Sequence, residues 1–94
     1  MKINWRWSAV EDVENARHYI DQFNPTAATR VFEAIRTAVW GLASSPESGH
    51  PGRVEGTREF VVPQTPYLIA YTVVADQLVI LGIFHHAQNW PDAF

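Results

Sequence analysis

Tyr67-Leu68-Ile69-Ala70-Tyr71-Thr72-Val73-Val74-Ala75-Asp76-Gln77-Leu78-Val79-Ile80-Leu81-Gly82-Ile83-Phe84-His85-His86 decides the fold. Two apolar runs rich in β-branched and aromatic residues flank Ala75-Asp76, which reads as a tight turn. So short a turn makes Tyr67–Val74 and Gln77–His86 neighbouring antiparallel strands. Strict alternation puts Tyr67, Ile69, Tyr71 and Val73 on one face and Leu68, Ala70 and Thr72 on the other. In the downstream strand it puts Val79, Leu81 and Ile83 against Leu78, Ile80 and Phe84. Both strands are thus apolar on two faces, as strands between two covering layers are.

Upstream, Thr57–Val62 reads as a further strand ended by Pro63, and Ser44–Gly52 as a loop by composition. At the start, Ile3, Trp5 and Trp7 alternate with Asn4 and Arg6, predicting a short strand. Ser8 and Glu11 have the spacing of a capping box. A first helix is expected over Ala9–Phe23, with an apolar stripe of Val10, Val13, Ala16, Ile20 and Phe23. Asn24-Pro25 supplies an N-cap and a first-turn proline for a second helix. Its stripe is Ala28, Val31, Phe32, Ile35, Ala38, Val39 and Leu42. The short connection predicts an antiparallel helix hairpin. The expected architecture is α+β, β-α-α-β-β-β, with an antiparallel sheet and the hairpin on one face.

A helix hairpin covers one face of a sheet. The second face, apolar by the alternation above, needs another cover. Either residues 87–94 fold across it, with Trp90 pinning them, or a partner chain does.

The chain has 94 residues, expected to form a single domain, and 47% of them are hydrophobic. It has no cysteine, which excludes disulfides and cysteine-based zinc sites and suits a reducing cytosol. The first residues lack the pattern of a secretory signal, and no apolar run is long enough to span a bilayer. A cytoplasmic protein without a membrane role is expected. Net charge is −3, not the basic balance of a protein that grips many phosphates. Six of the seven cationic side chains are arginines, suited to planar, bidentate contacts.

The chemistry-bearing residues are few. Arg53 and Arg58 flank Val54–Thr57. They fit an anionic or carboxylate contact on a partner, or a solvated hairpin in which Arg58 pairs with Glu55 or Glu59. His85 and His86, adjacent on a strand, should face opposite ways and so cannot readily share a metal. Either can serve as a general acid or base, or simply sit at the core edge and in solvent. His18 and His50 have no neighbouring ligands, so no metal or other cofactor is expected. Tyr67 and Tyr71 share a strand face, for stacking on a partner or for core packing. The serines show no triad pattern.

Several motifs run in a fixed order: a Trp-bearing strand before a Ser-capped helix; Pro25-Thr26-Ala27-Ala28; Leu42-Ala43-Ser44-Ser45-Pro46 before Gly49; Gly52-Arg53-Val54 with Gly56-Thr57-Arg58-Glu59; Pro66-Tyr67-Leu68-Ile69-Ala70-Tyr71; and His85-His86-Ala87-Gln88-Asn89-Trp90-Pro91. In this order and spacing the chain resembles, over nearly its whole length, the RelE/ParE superfamily toxins of bacterial type II toxin–antitoxin systems. It lies nearer the ParE, or plasmid-stabilisation, branch. The resemblance implies a growth-inhibiting toxin held in a hetero-oligomer by a cognate antitoxin, whose C-terminal segment wraps it. ParE-type members block DNA gyrase by protein–protein contact, which implies no catalytic residues and contact residues among Arg53, Arg58, Tyr67, Tyr71, Phe84 and Trp90. RelE-type members cut mRNA on the ribosome, for which Arg53, Arg58, His85 and His86 would be the catalytic set. The RNase members carry a middle-strand arginine where this chain has Leu68, and they are richer in Lys and Arg. A module that only binds its antitoxin is the third expectation.

Overall fold

The computed structural model describes residues 1–87. Strand β1 (Lys2–Trp5) leads into helix α1 (Trp7–Asp21) and helix α2 (Pro25–Ser44). A single 3-10 turn (Pro46–Ser48) precedes the short strand β2 (His50–Pro51). Then come β3 (Arg58–Val61), β4 (Tyr67–Val74) and β5 (Gln77–His85). The sheet order is β1-β5-β4-β3-β2. The α+β arrangement is the expected one, and the pairings β2–β3, β3–β4 and β4–β5 are antiparallel. β1 joins the far edge parallel to β5, because the helix hairpin carries the chain back across the sheet before β2 begins. The two-residue β2 lies in what composition reads as loop.

The α1–α2 turn follows its local chemistry. Asn24 is extended (φ −157°, ψ 93°) and its Oδ1 accepts from Ala27 N–H at 3.1 Å, with Pro25 opening α2. Ala28, Val31, Ile35, Val39 and Leu42 are buried along one stripe. Phe23 falls beyond the end of α1 and is 74% exposed, off the stripe the sequence assigned to it. Trp7 likewise begins α1 instead of ending β1, and is 73% exposed.

The hairpin packs on one sheet face. Ala9 and Val13 of α1 and the α2 stripe share a cluster with Tyr67, Ile69, Tyr71, Leu78, Ile80 and Ile83. Ile83 belongs there because strict alternation fails in β5. Ala70 lies opposite Gly82 while Tyr71 lies opposite Ile80, so Leu81 is the extra residue of a β-bulge. The bulge exchanges the faces beyond it. Phe84 accordingly joins Leu68, Ala70, Val79 and Leu81 on the second face.

The second face, whose cover the sequence left to residues 87–94 or to a partner, is buried in the structure. Its five side chains are each at most 8% exposed. Phe84 lies over the backbone at Gly82, where a Cβ would come within 2.6 Å of its ring. Thr72 Oγ1 ties the loop before β3 to the same strand by donating to Gly56 O at 2.9 Å. The expected covering role of residues 88–94, Trp90 included, falls outside the described residues.

Side chains of α1 close the edge of β5 where β1 stops. Arg6 N–H donates to Ile80 O at 3.0 Å, and Ser8 Oγ donates to Leu81 O at 3.0 Å. Ile83 N–H donates to Asp12 Oδ2 at 3.0 Å. Ser8 and Asp12, one helical turn apart, thus do what a neighbouring strand would do. This corrects the capping-box expectation: Arg6 occupies the N-cap without a side-chain bond, and Ser8 faces the sheet.

Two predictions follow from the fold. Ala75 and Asp76 form the β4–β5 turn with φ of 49° and 61°, which costs non-glycine residues energy. Replacing the pair by Ala75→Asn with Asp76→Gly should raise stability by about 1 kcal/mol in urea unfolding. Burial, helped by Glu11, holds the Asp12 carboxyl above its ordinary value, although the Ile83 N–H bond opposes the shift. The folded state therefore holds that proton the more tightly. Its stabilising effect is complete below the unfolded value and is lost as pH rises through the folded one. Asp12→Asn keeps an acceptor for Ile83, so its stability relative to wild type should grow over that window and then level off. Asp12→Ala leaves Ile83 N–H unpaired and should cost about 1–3 kcal/mol at low pH, with the cost shrinking over the same window.

Candidate functional site

Two groups of side chains carry the residues singled out above. The first is the segment from Pro46 to Glu59. Tyr71, fully buried on β4, donates its hydroxyl to Pro46 O at 2.6 Å and accepts from Gly49 N–H at 2.9 Å. Burial pushes this phenol up, against the opposing effects of the Gly49 bond and Arg58. Arg58 Nη1 donates to Gly49 O at 2.6 Å.

Glu59, 3% exposed, is the anchor of the group. Its carboxylate accepts from Arg53 N–H at 2.8 Å, from Arg53 Nε at 3.1 Å and from Arg53 Nη2 at 3.3 Å. His50 Nε2 stands 3.8 Å away. The cation on Glu59 is therefore Arg53, not Arg58 as the cross-strand reading had it. β2 faces Glu59 and brings the Arg53 loop with it, whereas Arg58 reaches back to the 3-10 turn. Both arginines thus help to hold the segment in place, and Arg53 also keeps a half-exposed side chain. Tyr71 offers no surface to a partner.

The second group lies at the other end of β4. Tyr67 and His85 are register partners with edge-to-face rings 5.5 Å apart. The His85 and His86 rings stack at 4.6 Å and 24°, so they do not face opposite ways. Alternation stops applying because β5 ends at His85. His86 sits in a turn, its N–H donating to Pro66 O at 2.9 Å. Beside them opens a cleft of about 450 Å³ between α1 and the β4–β5 end, lined by Asp12, Asn15, Tyr19, Tyr67 and His85 among others. Tyr67 is 8% exposed, and Phe84 is buried in the second-face cluster, so neither is the open contact residue expected. Trp90 falls outside the described residues.

The arginines and histidines do not meet. Arg58 pairs with Tyr71 and His85 with Tyr67, four residues apart on β4, or about 13 Å along the strand. No group of three or more His, Cys, Asp or Glu side chains suited to a metal ion occurs among the described residues.

Among the described residues, the large exposed aromatics lie on the helix hairpin and its turn. Trp7, Tyr19, Phe23 and Trp40 are 61–74% exposed, with Tyr19 and Phe23 edge to face at 5.4 Å. The sequence reading passed over Trp7, Tyr19 and Trp40 as surface residues. A tryptophan off the α2 stripe was the available signal at position 40. Tyr19, off the α1 stripe, carried the same signal more weakly.

Residues 3–90 match the family described as the ParE toxin of the type II toxin–antitoxin system parDE. The chain belongs to the ParE toxin family. It is 41% identical over 90 residues to the putative toxin Y4kP of Sinorhizobium fredii, covering 96% of this chain and 93% of that one. It is 40% identical over 88 residues to toxin RelE2 of Caulobacter vibrioides, covering 94% and 97%. A chain of the chromosomal ParDE system from P. aeruginosa shares the fold at a TM-score of 0.79 and 24% identity, over 90% of this chain and 95% of that one. A chain of the RelBE2 toxin–antitoxin complex of Mycobacterium tuberculosis does so at 0.63 and 20%, over 89% and 95%. This ParE-family chain is thus a toxin of a type II system, and no helix among its described residues is long and apolar enough to cross a membrane.

Tyr71 makes the segment before β3 sensitive to one oxygen atom. Tyr71→Phe should cost about 2 kcal/mol, by leaving Pro46 O and Gly49 N–H without their partner. Amide exchange at Gly49 should speed up selectively, while the α2 amides keep their protection.

Proposed function

We propose that this toxin inhibits DNA gyrase by protein–protein contact in the cytoplasm and is neutralised by a cognate antitoxin. The observation that carries the reading is the separation of its chemistry. Arg53 and Arg58 serve the Pro46–Glu59 segment, and His85 and His86 sit about 13 Å from Arg58 along β4. Cleaving RNA through a 2′-hydroxyl needs a base, an acid and a charge-stabilising cation around one phosphate. A contact inhibitor needs instead an exposed surface with anchoring aromatics, as the helix hairpin has in Trp7, Phe23 and Trp40. The net charge of −3 points the same way, since it gives little attraction for an RNA backbone. Arg53 and Arg58 remain proposed contacts at the sheet edge, where a half-exposed guanidinium suits a carboxylate on a partner.

The toxin should inhibit supercoiling by purified gyrase, and Trp40→Ala should weaken that inhibition roughly tenfold. Primer extension on messages from induced cells should show no new ends. Insensitive gyrase with new cuts in ribosome-bound message would establish the endonuclease reading instead. Unimpaired growth on induction without antitoxin would leave a module that only binds its partner.

A further inference from the structure

We propose that the cleft between α1 and the end of β4–β5 receives an arginine side chain of the antitoxin. The inference rests on the toxin–antitoxin reading and names a contact within it. Tyr67 lines the cleft, is 8% exposed, and its hydroxyl has no hydrogen-bond partner among the described residues. A buried hydroxyl is ordinarily paired, so this one points to a ligand. Asp12 gives one carboxylate oxygen to Ile83 N–H. Its other oxygen, like the Asn15 amide, has no hydrogen-bond partner among the described residues, and both residues line the same space.

The chemistry of the lining selects the ligand. It contains no Lys or Arg, so nothing in it offers a fixed positive charge to a phosphate or carboxylate. Beside His85, whose ring nitrogens can accept or donate, it offers acceptor oxygens on a carboxylate, two phenols and an amide, the last three able to donate as well. It also offers two phenol rings, Tyr67 buried and Tyr19 61% exposed at the rim. A planar guanidinium satisfies both features. It donates in its plane to several acceptors and stacks its face on an aromatic ring. The space, about 450 Å³, admits such a side chain together with the backbone that carries it. The net charge of −3 favours a basic segment during encounter.

The test titrates the full antitoxin, encoded beside the toxin, into the purified chain by calorimetry. Tyr67→Phe removes only the unpaired hydroxyl, so its melting point should not fall, yet affinity should drop roughly tenfold. Asp12→Asn keeps an acceptor for Ile83 and should lose roughly thirtyfold or more. Antitoxin arginines are changed singly to Met. One such change should reproduce the Asp12→Asn loss and add almost nothing on top of it. Restoring that arginine as Lys should recover only part of the affinity.

If both toxin variants bind within twofold of wild type, the proposal is wrong while the toxin–antitoxin reading stands. Losses that no antitoxin arginine reproduces would also overturn it. So would variants that weaken gyrase inhibition but leave antitoxin affinity intact. Failure of the unaltered chain to bind antitoxin would remove the underlying reading, and this contact with it.

Discussion

Leu81 stands in β5 without a partner in β4, and the sheet beyond it is built on that extra residue. Before the bulge, Leu78 and Ile80 face the helices. After it, Ile83 does, so the strand presents apolar side chains to the hairpin on both sides of the irregularity. On the other edge of β5 the pairing with β1 ends at Ile80, which would leave polar backbone exposed beyond it. α1 lies over that stretch and supplies Ser8 to Leu81 O and Asp12 to Ile83 N–H. α1 thus seals the edge that β1 leaves open, and it becomes one wall of the Tyr67 cleft.

Covering layers, not strand composition, determine where apolar surface is left over. A sheet greasy on both faces needs a second cover, from residues 87–94 or from a partner. Leu68, Ala70, Val79, Leu81 and Phe84 are buried, and a glycine beneath Phe84 lets its ring lie against the strand. Among the described residues, the exposed aromatics lie on the helix hairpin, while Val61, Val73 and Val74 are exposed toward the strand ends. Single exposed apolar residues are ordinary on soluble proteins, but four large aromatics on one small helix hairpin exceed what solubility favours.

Periodic signals were legible in the sequence, and signals that depend on an interruption were not. The two helices, the Asn24 cap, the β4–β5 turn and the α+β class all follow from spacing and local chemistry. The bulge does not, because an apolar run of Leu78–Phe84 reads the same with or without an added residue. The face of Phe84 was misread for that reason. The two histidines were misread for a related one, since alternation says nothing once a strand has ended. Ser8 was read as a cap because its spacing to Glu11 fits a local motif. A residue 73 positions away, Leu81, claims its hydroxyl instead, and no local pattern reports that. Arg53 and Arg58 were visible as a pair, but their partners depend on the two-residue β2, too short to leave a pattern.

The two ends of β4 show how one strand serves two roles. Tyr71 and Tyr67 share its helix-side face, four residues apart, and both are buried. At one end the phenol oxygen is fully used, bonded to Pro46 and Gly49, and the loop around it is fixed. At the other end the phenol oxygen has no hydrogen-bond partner among the described residues, beside a carboxylate with one oxygen likewise unpaired among them. Burial raises both phenols, so neither ionises readily, and both act as neutral donors and acceptors. The same residue type in the same strand face thus closes structure at one site and leaves hydrogen-bonding capacity at the other. Such capacity, set beside a buried phenol at the floor of an open cleft, suits a charged partner. A bond to the Tyr67 hydroxyl there meets a group that burial already holds in place.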